Sequence, residues 1–457
     1  MFLRPENWSA LAPTERRQAR YASWTSTEGR GFTTPQAEET YRRHTRRFVD
    51  VINLEVPDAV PIVPFIGDYV LRYTGLTPWE AMYAYEKYKP AYRKFSSDFG
   101  LDYTVFCGGF NPGKCFDILD LKTYSWPGRG NHPKDRSYQT LEGEFMKADE
   151  YDALIADPEG FYLRTVVPRA MGALAGLGSL STSWATMEIP AAPFFLLPFG
   201  LPEGQKALKA LLEAGEAALK WVTELEDLEG GILRERGLPR LPGGFTKAPF
   251  DWIGDTVRGT QGILTDMYRR PEKLLEALDR LVPLAVQLAD TGASAGNNPF
   301  VFIPLHKGAD DFMSDKNFRR FYWPSYLKVI HGLIGEGLVP FQFVEGRYNN
   351  RLDVIADSGI PPRSTFWSFD QIDMVQAKKK IGSWAAIGGN VQGSLLYAGT
   401  PAQVADAVKK LIDECGYNGG YALSTAVVLD NTTPENLHAM IDTAKEYGRY
   451  SGRTAER

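Results

Sequence analysis

The sequence predicts an α/β fold: a (β/α)8 TIM barrel with an N-terminal helical extension and a long insertion near the barrel mouth. Three observations predict it. The second half alternates short apolar runs with amphipathic helical stretches, in five consecutive units. That is the pattern of parallel strands joined by helical crossovers. The runs are apolar at nearly every position, as strands covered on both faces must be. No GxGxxG or GxxxxGK[ST] follows any of them, so the open nucleotide-binding sheet lacks its signature and the closed barrel is preferred.

The elements follow in order. Residues 1–55 are polar and helical, an extension ahead of a barrel domain at 56–450. PIVPFI at 61–66 is the first barrel strand. Residues 105–150, rich in Gly, Pro and Trp and without period, form the insertion, placed to act as a lid or an interface. Residues 203–235 and 271–292 are helical, with a loop and helix start between them at 246–270. Strands are expected at 301–305, 339–344, 364–369, 384–388 and 420–424. Between them, Ser314 or Asp315 caps a helix running to about Gly335, and short helices follow at 352–356 and 371–381. Lys378, Lys379 and Lys380 suit the C-terminal end of the latter. Thr400-Pro401 and Thr433-Pro434 open the last two helices, with proline at the first helical position.

Composition narrows the function. The 51 basic and 56 acidic residues give a formal charge of −5, which offers nothing to nucleic acid or an anionic membrane. No apolar stretch is long enough to span a bilayer. The three cysteines, Cys107, Cys115 and Cys415, form no CxxC pair and suit no standard zinc spacing. With no apolar leader at the N-terminus, a reducing, cytoplasmic setting is expected. A homodimer is left open.

In a barrel, catalytic groups stand just after the strands. The residue closing each apolar run is therefore informative. The 301–305 run ends at His306, the 339–344 run at Glu345, the 364–369 run at Asp370, the 384–388 run at Gly389-Asn390 and the 420–424 run at Thr425. Glu345, His306 and Asp370 are the candidate catalytic groups, since imidazole and carboxylate carry general acid–base chemistry. Each also has a structural reading: His306 as a helix cap, Asp370 as the cap of the helix at 371–381, and Glu345 as the partner of Arg347. Asn390, Arg347, Tyr348, Trp367, Lys247 and Asp251 are the candidate substrate contacts.

The C-terminal third resembles the uroporphyrinogen decarboxylase superfamily. The resemblance is carried by GGNVQGSLLYAGTPAQVADAVKKLIDECGYNGGYALSTA (388–426) and NTTPENLHAMIDTAKEYGRY (431–450), and supported by DFMSDKNFRRFYWPSYLKVI (311–330). It implies a barrel enzyme, either a cofactor-free decarboxylase or a corrinoid-linked methyltransferase. The decarboxylases' arginines near the first strands are missing: Gly67-Asp68 follows PIVPFI, and RQAR at 17–20 precedes it. The methyltransferases' His-x-Cys zinc motif falls on Phe343-Val344-Glu345, and their later cysteine near Val427. A thiolate zinc site is thus absent, although Glu345 and His306 remain an O/N pair for a metal such as zinc.

The expectation is a methyltransferase that demethylates a small methoxylated or methylated, aromatic substrate together with a corrinoid protein partner. Glu345 or His306 would protonate the leaving atom. The alternative is a metal-independent lyase or decarboxylase acting on a carboxylated substrate. A non-catalytic binding protein on a barrel scaffold is the third reading.

Overall fold

Parallel extended segments follow one another in chain order in the computed structural model, which describes residues 1–105, 110–180 and 188–450. They are 60–66; β1 (Thr104–Val105); β2 (Arg240–Leu241), which resumes after Pro242 as β3 (Gly244–Phe245); β4 (Phe300–Leu305); β5 (Val339–Arg347); β6 (Phe366–Gln371); β7 (Ala386–Gly388); and β8 (Tyr421–Ala422). Parallel pairs join β1 to β2, and each strand from β3 to β8 to the next. Ile62 pairs with Leu423, which brings the first segment against the last. Among the described residues no ladder pair joins 60–66 to β1. The two meet through a shared interior that includes Val63, Phe65 and Tyr103. The fold is α/β, with parallel strands ordered as they follow in the sequence.

Strand periodicity builds that interior. Val63, Phe65, Phe300, Phe302, Phe341, Phe343, Phe366, Ala386 and Ala422 point inward as one cluster. Their neighbours Ile62, Val301, Ile303, Leu305, Val344, Trp367, Phe369, Ile387 and Leu423 point outward against the helices. Both faces are therefore covered, which is why the runs show no polar alternation. The rings pack closely: Phe65 and Phe343 lie 4.4 Å apart, Phe341 and Phe366 4.6 Å. Burying each such ring contributes about 1.5–3 kcal/mol.

The extension closes the lower end. α1 (Pro13–Thr25) and α2 (Pro35–Ile52) both start with proline at the first helical position, and Thr34 Oγ1 accepts the Ala37 N–H. Tyr21, Trp24, Phe48, Val51 and Ile52 join the barrel interior, with Trp24 and Phe48 each 4.9 Å from Phe300 at the start of β4. The RQAR stretch is structural: Arg20 donates to Asp290 at 2.6 Å and to the Glu336 carbonyl.

Several elements differ from the sequence expectation. The helix expected from 314 to 335 is helical but widens into a π turn at Phe318–Tyr322 before α3 (Trp323–Gly335). Pro324 has no N–H to close an ordinary α turn there. The helix expected at 371–381 begins later, at Met374, because Asp373 caps it by accepting the Gln376 N–H. In the insertion, Tyr124–Ser125 pairs antiparallel with Gln139–Thr140. Cys107 lies outside the described residues. No described helix is long and apolar enough to cross a membrane.

Candidate active site

Strand register places the site. β4 and β5 pair Pro304 with Phe343 and Leu305 with Val344, and one further step sets His306 beside Glu345. Both continue the inward rows, above Phe302 and Phe343. β5 and β6 pair Val344 with Phe369, so Asp370 follows next to Glu345. Ser368 opposite Gly388 then sets Asp370 beside Asn390. The four residues that end these strands thus form one layer above the phenylalanines. At Glu345–Gly346 the register slips into a bulge, where Gly346 takes a left-handed φ of 79° and its N–H donates to Asp370 Oδ2 at 3.0 Å.

His306 is held on both sides. Its Nδ1 lies 2.5 Å from Asp255 Oδ2, and its Nε2 lies 3.7 Å from Glu345 Oε2. Both side chains line the same cavity, with Nε2 and the Glu345 carboxylate close but not hydrogen-bonded. Burial opposes the charge on His306, but the Asp255 hydrogen bond and the carboxylates of Glu345, Asp255 and Asp251 outweigh it and raise its pKa. Burial also opposes ionisation of Asp255. His306, Lys247 and their hydrogen bonds overcome that and hold Asp255 well below the usual carboxylate range. Glu345 behaves in the opposite way. Its side chain is 44% open to the cavity, yet surrounding protein raises its pKa. Attraction from His306 works against that rise, while Asp251, Asp255 and Asp370 add to it. The result is a graded row: Asp255 biased towards the anion, His306 towards the imidazolium and Glu345 towards the protonated carboxyl.

Lys247 reaches this chain as a partner of Asp255 at 2.8 Å, together with Lys307 at 2.9 Å. Asp251 lies beneath it, fully buried. It accepts the His306 N–H at 3.1 Å, the Lys307 N–H at 2.9 Å and the Tyr322 hydroxyl at 2.7 Å. Asp251 therefore fixes the backbone from which His306 projects and does not meet substrate. Burial, then repulsion from Asp255, raises its pKa.

Other candidates have structural partners. Asp370 caps no helix; burial raises its pKa against the pull of the Gly346 N–H. Asn390 spends its amide on the carbonyls of Asp370 and Ile372, at 2.8 and 3.0 Å, and so braces the layer. Arg347 pairs with Asp311 at the surface and not with Glu345, because the bulge turns it outward. Trp367 faces the helices, with its Nε1 on Thr365 Oγ1. Tyr348 is buried behind the strands against Phe318. Neither Trp367 nor Tyr348 reaches the cavity, since their positions fall on the outward face.

The cavity above the layer has a volume of about 690 Å³. His306, Glu345, Phe302 and Phe343 form one side, and Asp68, Asp430, Tyr138, Phe110 and Trp221 another. Asp255, Lys307 and Tyr322 were not evident from strand ends. Asp255 lies one helical turn beyond Asp251, a spacing that is the only signal for it. As a metal site the layer offers two neighbouring donors, His306 Nε2 and Glu345, because Asp255 occupies the other imidazole nitrogen. Among the described residues no group of three or more His, Cys, Asp or Glu is arranged to hold a metal ion. The donors therefore do not fit the three or four ligands of a zinc centre.

Comparison with known proteins agrees with this architecture. The uroporphyrinogen decarboxylase (URO-D) family model matches residues 232–447. The chain is 24% identical over 284 residues to the uroporphyrinogen decarboxylase of Actinobacillus succinogenes, covering 58% of this chain and 77% of that protein. It is 23% identical over 248 residues to that of Paraburkholderia phytofirmans, covering 51% of this chain and 65% of that protein. A solved methyltransferase from Methanosarcina mazei superposes with a TM-score of 0.56 at 16% identity, over 89% of this chain and 98% of that one, which is a likeness of fold. By the matched segment 232–447 and the decarboxylase relatives, the chain is similar to the uroporphyrinogen decarboxylase family, and it shares its fold with the Methanosarcina mazei methyltransferase.

Proposed function

We propose that the protein transfers a methyl or other small alkyl group from a neutral or positively charged donor, with the His306–Glu345 pair supplying a proton to the departing heteroatom. One observation carries this reading: the cavity is acidic. Asp68, Glu229 and Asp430 line it together with the His306–Glu345 pair, whereas the one guanidinium among its described lining residues, Arg240, is already 3.1 Å from Glu229. Such a wall repels a polycarboxylate and accepts a neutral or cationic methylated compound.

The chemistry follows from the layer. The bond between the methyl carbon and oxygen or nitrogen breaks, and the electron pair stays on the heteroatom. From a neutral ether or amine the heteroatom takes a proton from His306 Nε2 or Glu345, with Asp255 stabilising the imidazolium before transfer, whereas from a quaternary ammonium the amine leaves neutral and needs none. A corrinoid held by a separate protein would supply the nucleophilic acceptor for the methyl group. Asp251 and Asn390 hold the layer in place and Lys247 balances Asp255. No step is assigned to zinc.

Decarboxylation is the second reading, favoured by the names of the curated relatives. One assay separates the two. The protein is incubated with free cob(I)alamin and a panel of methoxyarenes and N-methyl compounds, and separately with uroporphyrinogen. Methyl transfer predicts substrate-dependent loss of the cob(I)alamin absorbance, abolished by Glu345→Gln. Carbon dioxide release from uroporphyrinogen, with no transfer from any methylated compound, refutes it.

A further inference from the structure

Across the cavity from His306 and Glu345, the wall is aromatic and acidic at once. Phe110 and Trp221 stack with centroids 6.2 Å apart and planes 30° apart. Tyr138 stands beside Asp68 and Asp430, whose negative field adds to burial in raising its phenol pKa. The two carboxylates are built into position. Asp430 Oδ1 accepts the Asp68 N–H at 2.9 Å and rests on Gly67, where a Cβ would come within 2.2 Å of that oxygen. Neither forms a salt bridge with a lysine or arginine among the described residues. Elsewhere in the cavity the acids are matched, Glu229 by Arg240 and Glu345 by His306.

Ser137 hydrogen-bonds Asp68 and Arg72 acts on it from beyond salt-bridge range, yet neither acid is ion-paired among the described residues, and two such acids sharing a cavity with aromatic rings make a site that gains from a positive ligand. Aromatic faces attract alkylated ammonium groups through the ring quadrupole, and carboxylates add the long-range attraction. We propose that Asp68, Asp430, Tyr138, Phe110 and Trp221 receive the positively charged nitrogen of an N-methylated ammonium compound. This deepens the methyl-transfer reading by naming its donor class and rests on that reading only for the fate of the methyl group.

The test measures binding without any methyl acceptor. Choline and its uncharged carbon isostere, 3,3-dimethylbutan-1-ol, are titrated into the protein by calorimetry. Choline is expected to bind about tenfold more tightly or better. The preference should vanish in the Asp68→Asn/Asp430→Asn double variant. Should that variant fail to fold, Asp430→Asn alone, at an exposed position, should reduce the preference severalfold. Equal binding of the two probes, or a preference that survives the substitutions, overturns the proposal. The outcomes also separate it from the reading beneath it. Choline bound by these acids with no demethylation of any compound sinks methyl transfer and keeps the cation site. Demethylation of a neutral ether with no choline binding does the reverse.

Discussion

Glu345 combines two properties that rarely coincide on one side chain. It is open to a cavity, and protein around it favours its protonated form. Its place at the end of an apolar strand supplies the first property, and the neighbouring carboxylates help supply the second. Replacing it with Gln keeps the shape and removes the transferable proton, so kcat should fall about a hundred- to ten-thousandfold with little change in melting temperature. His306 gives a pH prediction with a defined sign. Its folded pKa is raised above the ordinary 6.5, so the stabilisation it provides is complete below pH 6.5 and disappears as pH rises through the folded value. Thermal melts across pH should show this loss on the alkaline side of neutrality, and Asp255→Asn should move it downward. If His306 is the proton donor, the alkaline limb of activity moves the same way. An unchanged limb in Asp255→Asn would separate His306 from proton transfer.

At the scale of elements, the loop after β3 does the positioning. Asp251 ties it to the end of β4 and, through Tyr322, to the helix that follows. Asp251→Ala strips an acceptor from one buried donor, Tyr322, worth about 1–3 kcal/mol when unsatisfied, and from two half-buried N–H groups. The expected result is a clear loss of stability in chemical denaturation, together with loss of activity. Asp251→Asn retains one acceptor and should recover part of both. Legibility in the sequence divides along the same elements. Strands β4 to β8 were readable because each is an apolar run closed by a polar residue. β1, β2 and β3 were not, since each is two residues long among Gly and Pro and has no period to read. Glu345, His306 and Asp370 were readable as strand ends. Asp255 was hidden, because a helical turn in a loop carries no such mark. Trp367 and Tyr348 were misplaced because residue type alone does not tell the inward from the outward face.

For the molecule as a whole, the extension belongs to the barrel core. Phe48 touches rings from three strands, Phe300, Phe341 and Phe366. Phe48→Ala should cost about 3–5 kcal/mol, far more than a substitution in a detachable segment, as read by urea unfolding. A protein lacking residues 1–55 should be insoluble or unfolded by circular dichroism. A stable, soluble truncation would show instead that the lower end closes without it.

The stacked rings from Trp24 up to Phe343 have a consequence for traffic. Among the described residues they fill the space beneath the upper layer, so on the proposed reading a hydrogen ion consumed there is replaced from the cavity side. With a ligand in the cavity that supply is narrowed, so recharging should be slowest while the ligand stays.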